Sequence, residues 1–259
     1  MSEYEFCTAE KDGNLLIVTI NRPEVMNAVH PAANFEMDKV FNDFDADPDL
    51  WVAIVTGAGD RAFCAGNDLK HQASGGDMKM PATGLGGLTS RYNLNKPLIA
   101  AVNGIAMGGG FEIALACDLI IASDNAIFAL PEPRVGLAAL AGGLHRLPRQ
   151  IGVKQAAGMI LTARRVGADE GKTLGFVNEV VPQADLMAEV RRWAAMIMEC
   201  SPMSIRGSKQ AIYAGLDHAN LEEAVSTRYE AVVDLFKSED FVEGPMAFAQ
   251  KRKPEWKGQ

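Results

Sequence analysis

The sequence predicts a layered α/β fold that is followed by a helical C-terminal region. Along the first two thirds of the 259 residues, short apolar β-rich runs alternate with segments of helical spacing. Glycine-rich turns follow several of these runs, as connections from strands to helices require. After about residue 144 the patterns become helical.

The predicted elements follow from local patterns in chain order. Leu15–Ile20 is a β-rich run that Asn21-Arg22-Pro23 stops, and residues 34–44 place apolar side chains at helical spacing before Asp47-Pro48. Residues 70–90 carry five glycines and several polar residues, which predicts a mobile loop. The further predicted strands are 51–56, Leu98–Val102 and 119–122. The further predicted helices are 111–117, 142–152, 154–161, 184–200, 203–215, 219–237 and 240–251.

Composition and charge narrow the class of protein. The chain is 48% hydrophobic and 22% charged, which is typical of globular domains, and its net charge of −8 speaks against a protein that mainly neutralises nucleic-acid phosphates. The four cysteines and four histidines lack metal-ligand spacing. The N-terminus lacks the pattern of a signal peptide, and no apolar stretch reaches the roughly 18 residues of a membrane span. We therefore expect a cytoplasmic protein without a metal site.

The stretch NGIAMGGGFE, residues 103–112, places three glycines after a predicted strand. It does not fit a phosphate cradle, because the dinucleotide and Walker spacings are absent and residues 98–132 contain no Lys or Arg. A strand, a glycine turn and a helix start instead aim free backbone N–H groups outward, which can stabilise a developing oxyanion. The stretch AFCAGNDL, residues 62–69, offers further free amides at Ala65-Gly66, although by itself it is typical of a plain turn.

Two glutamates are the candidates for acid–base chemistry. Glu112 stands at the start of a predicted helix, where the helix dipole alone also explains an acidic residue. Glu132 lies between Pro131 and Pro133, which fix the backbone around it, and an exposed loop residue is the alternative. The motif GGLHRLPRQIG, residues 142–152, opens another helix whose first amides can face the same cavity.

These motifs, in this order and spacing, resemble the enoyl-CoA hydratase/isomerase (crotonase) superfamily. The resemblance rests on AFCAGNDL, AVNGIAMGGGFEIALACDLIIAS and LPEPRVGL…GGLHRLPRQIG, and it extends from NRPEVMNAV to the last helix. Within the superfamily the chain looks most like the hydratase branch near carnitinyl-CoA dehydratase. The resemblance implies a spiral of ββα units over residues 1–200 and a C-terminal helical trimerisation region over residues 201–259.

The resemblance also implies site residues. The two oxyanion-hole amides match Ala65 and Gly109, while the paired catalytic glutamates match Glu112, which would help to activate water, and Glu132, which would serve C2 of the substrate. The positions matched to binding of the coenzyme A (CoA) part of the substrate are Val25, Ala65, Gly66, Asn67, Asp68, Leu69, Gly108, Gly109, Phe248 and Lys251. Phe248 and Lys251 match contacts to the CoA adenosine and 3′-phosphate, often made from a neighbouring subunit.

The implied activity is that of an enoyl-CoA hydratase of fatty acid metabolism, which adds water reversibly and syn to a 2-enoyl-CoA thioester. No separate cofactor is expected, because CoA is part of the substrate. Single-glutamate enoyl-CoA isomerases, one alternative, lack an acid at the position of Glu112. Carnitinyl-CoA dehydratases commonly carry Pro-Asp-Ser where this chain has Ala139-Leu140-Ala141, and an apolar side chain there suits an uncharged acyl tail. A plain hydratase is the first hypothesis, a dehydratase of a polar acyl group the second, and a non-catalytic acyl-CoA binder an alternative of another class.

The expected partners are an acyl-CoA thioester and further copies of the chain, as a homotrimer or a dimer of trimers (a homohexamer). Neither a nucleic acid nor a membrane is expected. Some relatives bind RNA through a lysine-rich early helix, but residues 34–44 hold only Lys39 among three acids. The basic cluster Lys251, Arg252, Lys253 and Lys257 fits a solvated tail or a CoA-phosphate contact.

Overall fold

The computed structural model describes residues 4–259 as ten strands and eleven α-helices. The strands are β1 (Cys7–Asp12), β2 (Leu15–Ile20), β3 (Val52–Gly57), β4 (Ala62–Cys64), β5 (Leu98–Val102), β6 (Ile105–Met107), β7 (Leu119–Ser123), β8 (Ile127–Ala129), β9 (Val166–Gly167) and β10 (Glu179–Val181). The helices are α1 (Pro31–Ala46), α2 (Leu69–Ala73), α3 (Gly109–Ala116), α4 (Gly143–Ile151), α5 (Val153–Thr162), α6 (Ala168–Leu174), α7 (Leu186–Met198), α8 (Pro202–Gly215), α9 (Leu221–Ser226), α10 (Glu230–Leu235) and α11 (Glu239–Ala249).

The strands form two sheets that the chain visits alternately. A six-stranded sheet has the order β1-β2-β3-β5-β7-β10, and a four-stranded sheet has the order β4-β6-β8-β9. Each of the successive pairs β3/β4, β5/β6 and β7/β8 gives its first strand to the larger sheet and its second to the smaller one. The helices α2, α3 and α4 follow these pairs along the chain. This repetition is the predicted spiral of ββα units, and it places the starts of three helices next to the smaller sheet.

The central strands of the larger sheet are buried on both faces, as is typical of parallel strands. Every residue of β3 and β5 is buried. Alternate side chains such as Ile54 and Ile99 pack against α7, while their neighbours Val55 and Ala100 join the main core with α1 and α3. The predicted runs Leu15–Ile20 and Leu98–Val102 are therefore confirmed as central strands.

The sequence missed elements that are too short to show a period. The three-residue strands β4, β6 and β8 all belong to the smaller sheet. The prediction of a single helix over 219–237 is wrong, because the helix is interrupted between α9 and α10. At the break Thr227 takes an extended conformation, and its hydroxyl donates to the Glu223 carbonyl at 2.8 Å. A side chain that bonds back to the preceding turn competes with helix continuation.

The C-terminal helices are tied to the core by polar contacts. Lys209 on α8 pairs with Asp118 at 2.7 Å, and the buried Ser201 hydroxyl donates to Asp240 on α11 at 2.8 Å. The division of the chain at residue 200 stays a prediction. Among residues 4–259, none of the helices combines the length and apolar composition that crossing a bilayer requires.

Candidate active site

The two glycine turns predicted from the sequence lie in backbone contact. Gly66 has φ +93°, and a Cβ on it would lie 2.8 Å from both the Gly109 nitrogen and the Met107 oxygen. A Cβ on Gly110 would overlap the Cys64 carbonyl oxygen. Glycine is therefore required at these positions, because the start of α3 packs directly on the chain that leaves β4.

The Ala65 amide is not available as an oxyanion donor. Its N–H donates at 3.0 Å to the carbonyl oxygen of Met26, the residue that follows the 3₁₀ turn Pro23–Val25. The expectation of a free amide at Ala65 is therefore wrong. One hydrogen bond already satisfies this donor, and to lose it in a buried position would cost free energy.

The Asn67 amide occupies the place that the Ala65 amide was expected to fill. On either side of it, Val29 donates to the Gly66 carbonyl at 2.8 Å and Asp68 donates to the Val29 carbonyl at 2.9 Å. Asn67 itself finds no acceptor for its amide within residues 4–259. A Cβ on Gly109 would lie 3.5 Å from the Asn67 nitrogen, so this donor faces the start of α3. Gly109 is the first residue of α3, where the amides lack intrahelical acceptors.

An ion pair fixes the residue that follows Asn67. Arg22 donates to Asp68 Oδ2 at 3.0 Å, and both side chains are mostly buried. The other oxygen of Asp68 accepts the His71 amide at 3.1 Å and so caps α2. Asn67 thus forms a β-bridge with Val29 and precedes the fixed N-cap of α2. Leu69, the first residue of α2, is half-exposed.

Glu112 is buried in the first turn of α3. Only 3% of the residue is exposed, and Oε1 accepts the Gly143 amide from the start of α4 at 2.9 Å. The expectation that α4 turns its first amide toward this site is confirmed. Burial raises the pKa of Glu112 to about 7, the Gly143 and Ala141 amides oppose that rise, and the charge of Glu132 adds to it. Glu112 is thus an anchored carboxyl whose proton exchanges near neutral pH.

Glu132 begins a 3₁₀ turn between Pro131 and Pro133. A Cβ on Gly108 would lie 2.9 Å from its Oε1, so the carboxyl reaches the glycine run at the start of α3. Its Oε2 is buried and makes no hydrogen bond to any of residues 4–259. Burial raises the pKa of this carboxyl as well. A buried carboxyl oxygen without a protein partner favours the protonated acid or a polar ligand.

The surroundings of Glu112 are small and apolar. A Cβ on Gly143 would lie between 3.0 and 3.1 Å from Leu130 Cδ1, Ala139 Cβ and Glu112 Cγ. Ala139 is 2% exposed, whereas Leu140 is 78% exposed. Within the segment Ala139-Leu140-Ala141, the buried apolar side chain next to Gly143 and Glu112 is therefore that of Ala139 and not that of Leu140.

The loop over residues 70–90 is anchored in its second half. Leu85 is 3% exposed and its side chain packs so closely on Gly109 that no Cβ would fit there. The Leu85 amide donates to the hydroxyl of the buried Thr89 at 2.8 Å. This part of the loop covers the start of α3, and a mobile loop over all of residues 70–90 is not what the structure shows.

Three predicted binding residues remain, one at the end of the 3₁₀ turn Pro23–Val25 and two near the end of α11. Val25 is half-buried at the end of the 3₁₀ turn that precedes the Met26 carbonyl. Phe248 on α11 is 86% exposed, and Lys251 follows it at the surface with φ +54°. No hydrogen bond or ion pair within residues 4–259 joins any of these three residues to Glu112 or Glu132. Their assignment to CoA binding stays a prediction.

Comparison with known proteins decides the family. The sequence profile of the enoyl-CoA hydratase/isomerase family matches residues 10–259. The chain belongs to this family. Its relatives in this family are named as hydratases and dehydratases, whose activity is that of a hydro-lyase.

Sequence and structure relatives agree with this assignment. The chain is 44% identical over 254 residues to a carnitinyl-CoA dehydratase from Escherichia coli, covering 96% of this chain and 97% of that one. An enoyl-CoA hydratase from Mycobacterium marinum superposes with a TM-score of 0.92 at 37% identity, covering 98% and 99% of the two chains. A carnitinyl-CoA hydratase from Mycobacterium avium gives a TM-score of 0.78 at 38% identity over the same shares. The crotonase fold predicted from the sequence is confirmed.

Proposed function

We propose that the protein adds water reversibly across the double bond of a 2-enoyl-CoA thioester to give a 3-hydroxyacyl-CoA. The observation that carries this proposal is the meeting of two carboxyls and two free amides around the start of α3. Glu112 is buried and Glu132 half-buried beside the Gly108–Gly110 run, and the free amide nitrogen of Asn67 lies close to Gly109 at the start of α3.

Each group takes a defined part in the reaction. The amides of Gly109 and Asn67 donate to the thioester oxygen, where negative charge collects when water adds to C3. Glu112, whose ionised form accepts the Gly143 amide, takes a proton from the attacking water, and Glu132 delivers a proton to C2. The O–H bond of water breaks while C3–O and C2–H bonds form, so that one molecule of water is added. Since burial raises the pKa of both carboxyls, the pair can keep one proton near neutral pH.

For the acyl group we propose a short uncharged chain as the first candidate. Leu130 and Ala139 are the apolar neighbours of Gly143 beside Glu112, which supports an uncharged tail. The second candidate is a carnitinyl or crotonobetainyl group, which the names of the relatives at 44% identity favour. An isomerase is disfavoured by the acid at position 112, and a simple binder leaves two carboxyls of raised pKa without a role.

A spectrophotometric hydration screen tests the function and the acyl group together. We expect the enzyme to hydrate crotonyl-CoA, with lower kcat/KM for crotonobetainyl-CoA and for long and aromatic enoyl-CoA thioesters. A preference for crotonobetainyl-CoA would replace the first candidate by the second. Failure on every thioester would contradict the hydratase function itself.

The assignment of the second oxyanion donor has its own test. Replacing the backbone N–H by an ester oxygen at position 67 should lower kcat about 100-fold, because one donor to the developing oxyanion is lost, with little change in stability. The matched replacement at position 65 removes the hydrogen bond to Met26, so it should destabilise the fold by about 1 kcal/mol and leave kcat nearly unchanged. The reverse pattern would restore Ala65 as the donor.

We also propose that the chain acts as a homotrimer or a dimer of trimers. Support comes from the exposed apolar side chains of the C-terminal helices, among them Phe236, Val242 and Phe248. In such an assembly Phe248 and Lys251 would contact the CoA adenosine and 3′-phosphate in a neighbouring subunit. Light scattering on the purified protein gives the mass, and a monomer would contradict this proposal.

A further inference from the structure

Arg146 is a charged residue next to the site that lies in the motif GGLHRLPRQIG but received no role in the sequence analysis. It lies on the second turn of α4, and its guanidinium occupies the space above Gly142, where a Cβ would overlap Nη1. Nη2 donates to the Thr89 carbonyl at 3.0 Å, and Nη1 donates to the Ala141 carbonyl at 3.4 Å. One side chain therefore connects the loop over residues 70–90 with the turn that precedes α4.

Ala141 and Thr89, the two residues whose carbonyls accept from Arg146, also contact the surroundings of the proposed reacting groups. The amide of Ala141 faces the Glu112 carboxyl together with that of Gly143, which donates at 2.9 Å. On the other side, the Thr89 hydroxyl accepts the Leu85 amide, and Leu85 covers Gly109. The guanidinium is thus linked through Ala141 to the Glu112 carboxyl, and through Thr89 to Leu85, which packs on the proposed oxyanion donor Gly109.

The charge of Arg146 acts on Glu112 as well. Burial and the charge of Glu132 raise the pKa of Glu112, while the positive charge of Arg146 lowers it. The charge of Arg146 also acts on Cys117 at the end of α3 and on Tyr213 on α8, both of which lie near the carboxylate of Asp118. Burial raises the pKa of both, so they stay neutral near pH 7. Arg146 is therefore the positive charge that counters Glu132 at this carboxyl.

We propose that Arg146 is a positioning residue for Glu112, which it orients through residue Ala141 and keeps in its ionised, water-activating form. This inference rests on the proposed hydratase function. A merely structural clamp would also hold the two carbonyls, but it would not depend on the charge of the side chain. The position of the acid limb of the pH–rate profile separates the two roles.

The test uses the full-length enzyme with Arg146→Met and Arg146→Lys, assayed with crotonyl-CoA from pH 5 to 9. Methionine removes charge and donors, so kcat at pH 7 should fall about tenfold with KM nearly unchanged, and the acid limb should move up by about half a pH unit. Lysine keeps the charge without the planar fork, so the limb should stay in place while kcat recovers only in part. Arg149→Met is the matched control on the same helix, since Arg149 is exposed and, within residues 4–259, donates only to the His145 carbonyl, and it should behave as wild type.

A second measurement does not depend on turnover. Infrared titration of the protonated carboxyl band, assigned with Glu112→Gln, should show Glu112 holding its proton to higher pH in Arg146→Met than in wild type. An unchanged carboxyl titration, or a limb that moves equally in the Met and Lys variants, would overturn the proposal. If Arg146→Met does not fold, Arg146→Lys decides, because a wild-type kcat in that variant contradicts positioning by the fork. Inactivity of the wild-type enzyme would instead count against the proposed function.

Discussion

The start of α3 and the 3₁₀ turn at residues 132–135 each carry one glutamate, but they hold it in opposite ways. The Glu112 carboxylate accepts the Gly143 amide, and the glycine run before Glu112 is tightly packed. Glu132 is half-buried, and its Oε2 has no hydrogen-bond partner among residues 4–259. This difference explains how two glutamates in one site can take different proton-transfer roles. A fixed carboxylate suits the orientation of water, whereas a carboxyl with a free oxygen suits delivery of a proton.

The largest expected effect comes from adding one methyl group to each region. Gly110→Ala should abolish soluble folding or cost at least about 4 kcal/mol, because its Cβ would overlap the Cys64 carbonyl oxygen, which is backbone and cannot move aside. Gly136→Ala, after the 3₁₀ turn, meets no atom within 4 Å and should cost only about 1 kcal/mol for its φ of +71°. Urea unfolding measures both. Equal costs would show that conformation, and not contact, requires glycine at the start of α3.

Sequence patterns predicted the long elements and the motifs but not the distances between them. β2 and β5 were recognisable because a buried strand of five or six apolar residues is distinctive, and Glu112 followed from its place after GGG. The free amide was placed at Ala65 instead of Asn67, because the Ala65 bond to Met26 joins residues far apart in sequence. The motif GGLHRLPRQIG contains Arg146 but did not disclose the role proposed for it, since that role depends on a contact with Thr89 across 57 positions. The local periodicity of apolar residues indicates strands and helices. Which backbone N–H groups have an acceptor and which do not can be seen only in the folded chain.

The second expected effect compares the two carboxyls in turnover. Glu112→Gln and Glu132→Gln should each lower kcat for crotonyl-CoA about 1,000-fold with little change in KM, because each removes a proton-transfer group and keeps the side chain's shape. The double variant should be scarcely slower than either single one, since the pair acts as a unit. Steady-state kinetics gives both numbers, and binding of a non-reactive acyl-CoA checks that the site is intact. Near-normal turnover in either single variant would contradict the division of roles.

The smallest expected effect is on stability, and it has the opposite sign to the loss of activity. A carboxyl whose pKa is higher in the folded chain than in the unfolded one stabilises the fold most below the unfolded value of about 4.5, and this contribution is lost as pH rises through about 7. Glu112→Gln should therefore raise the free energy of unfolding at pH 8 by about 2 kcal/mol, and by much less at pH 4.5. Its amide oxygen can still accept the Gly143 N–H. Glu132→Gln should show the same trend, because burial raises the pKa of this carboxyl as well. Urea unfolding at the two pH values measures the difference, and a Glu112→Gln variant less stable than wild type at pH 8 would show that the fold depends on the carboxylate and does not merely tolerate it.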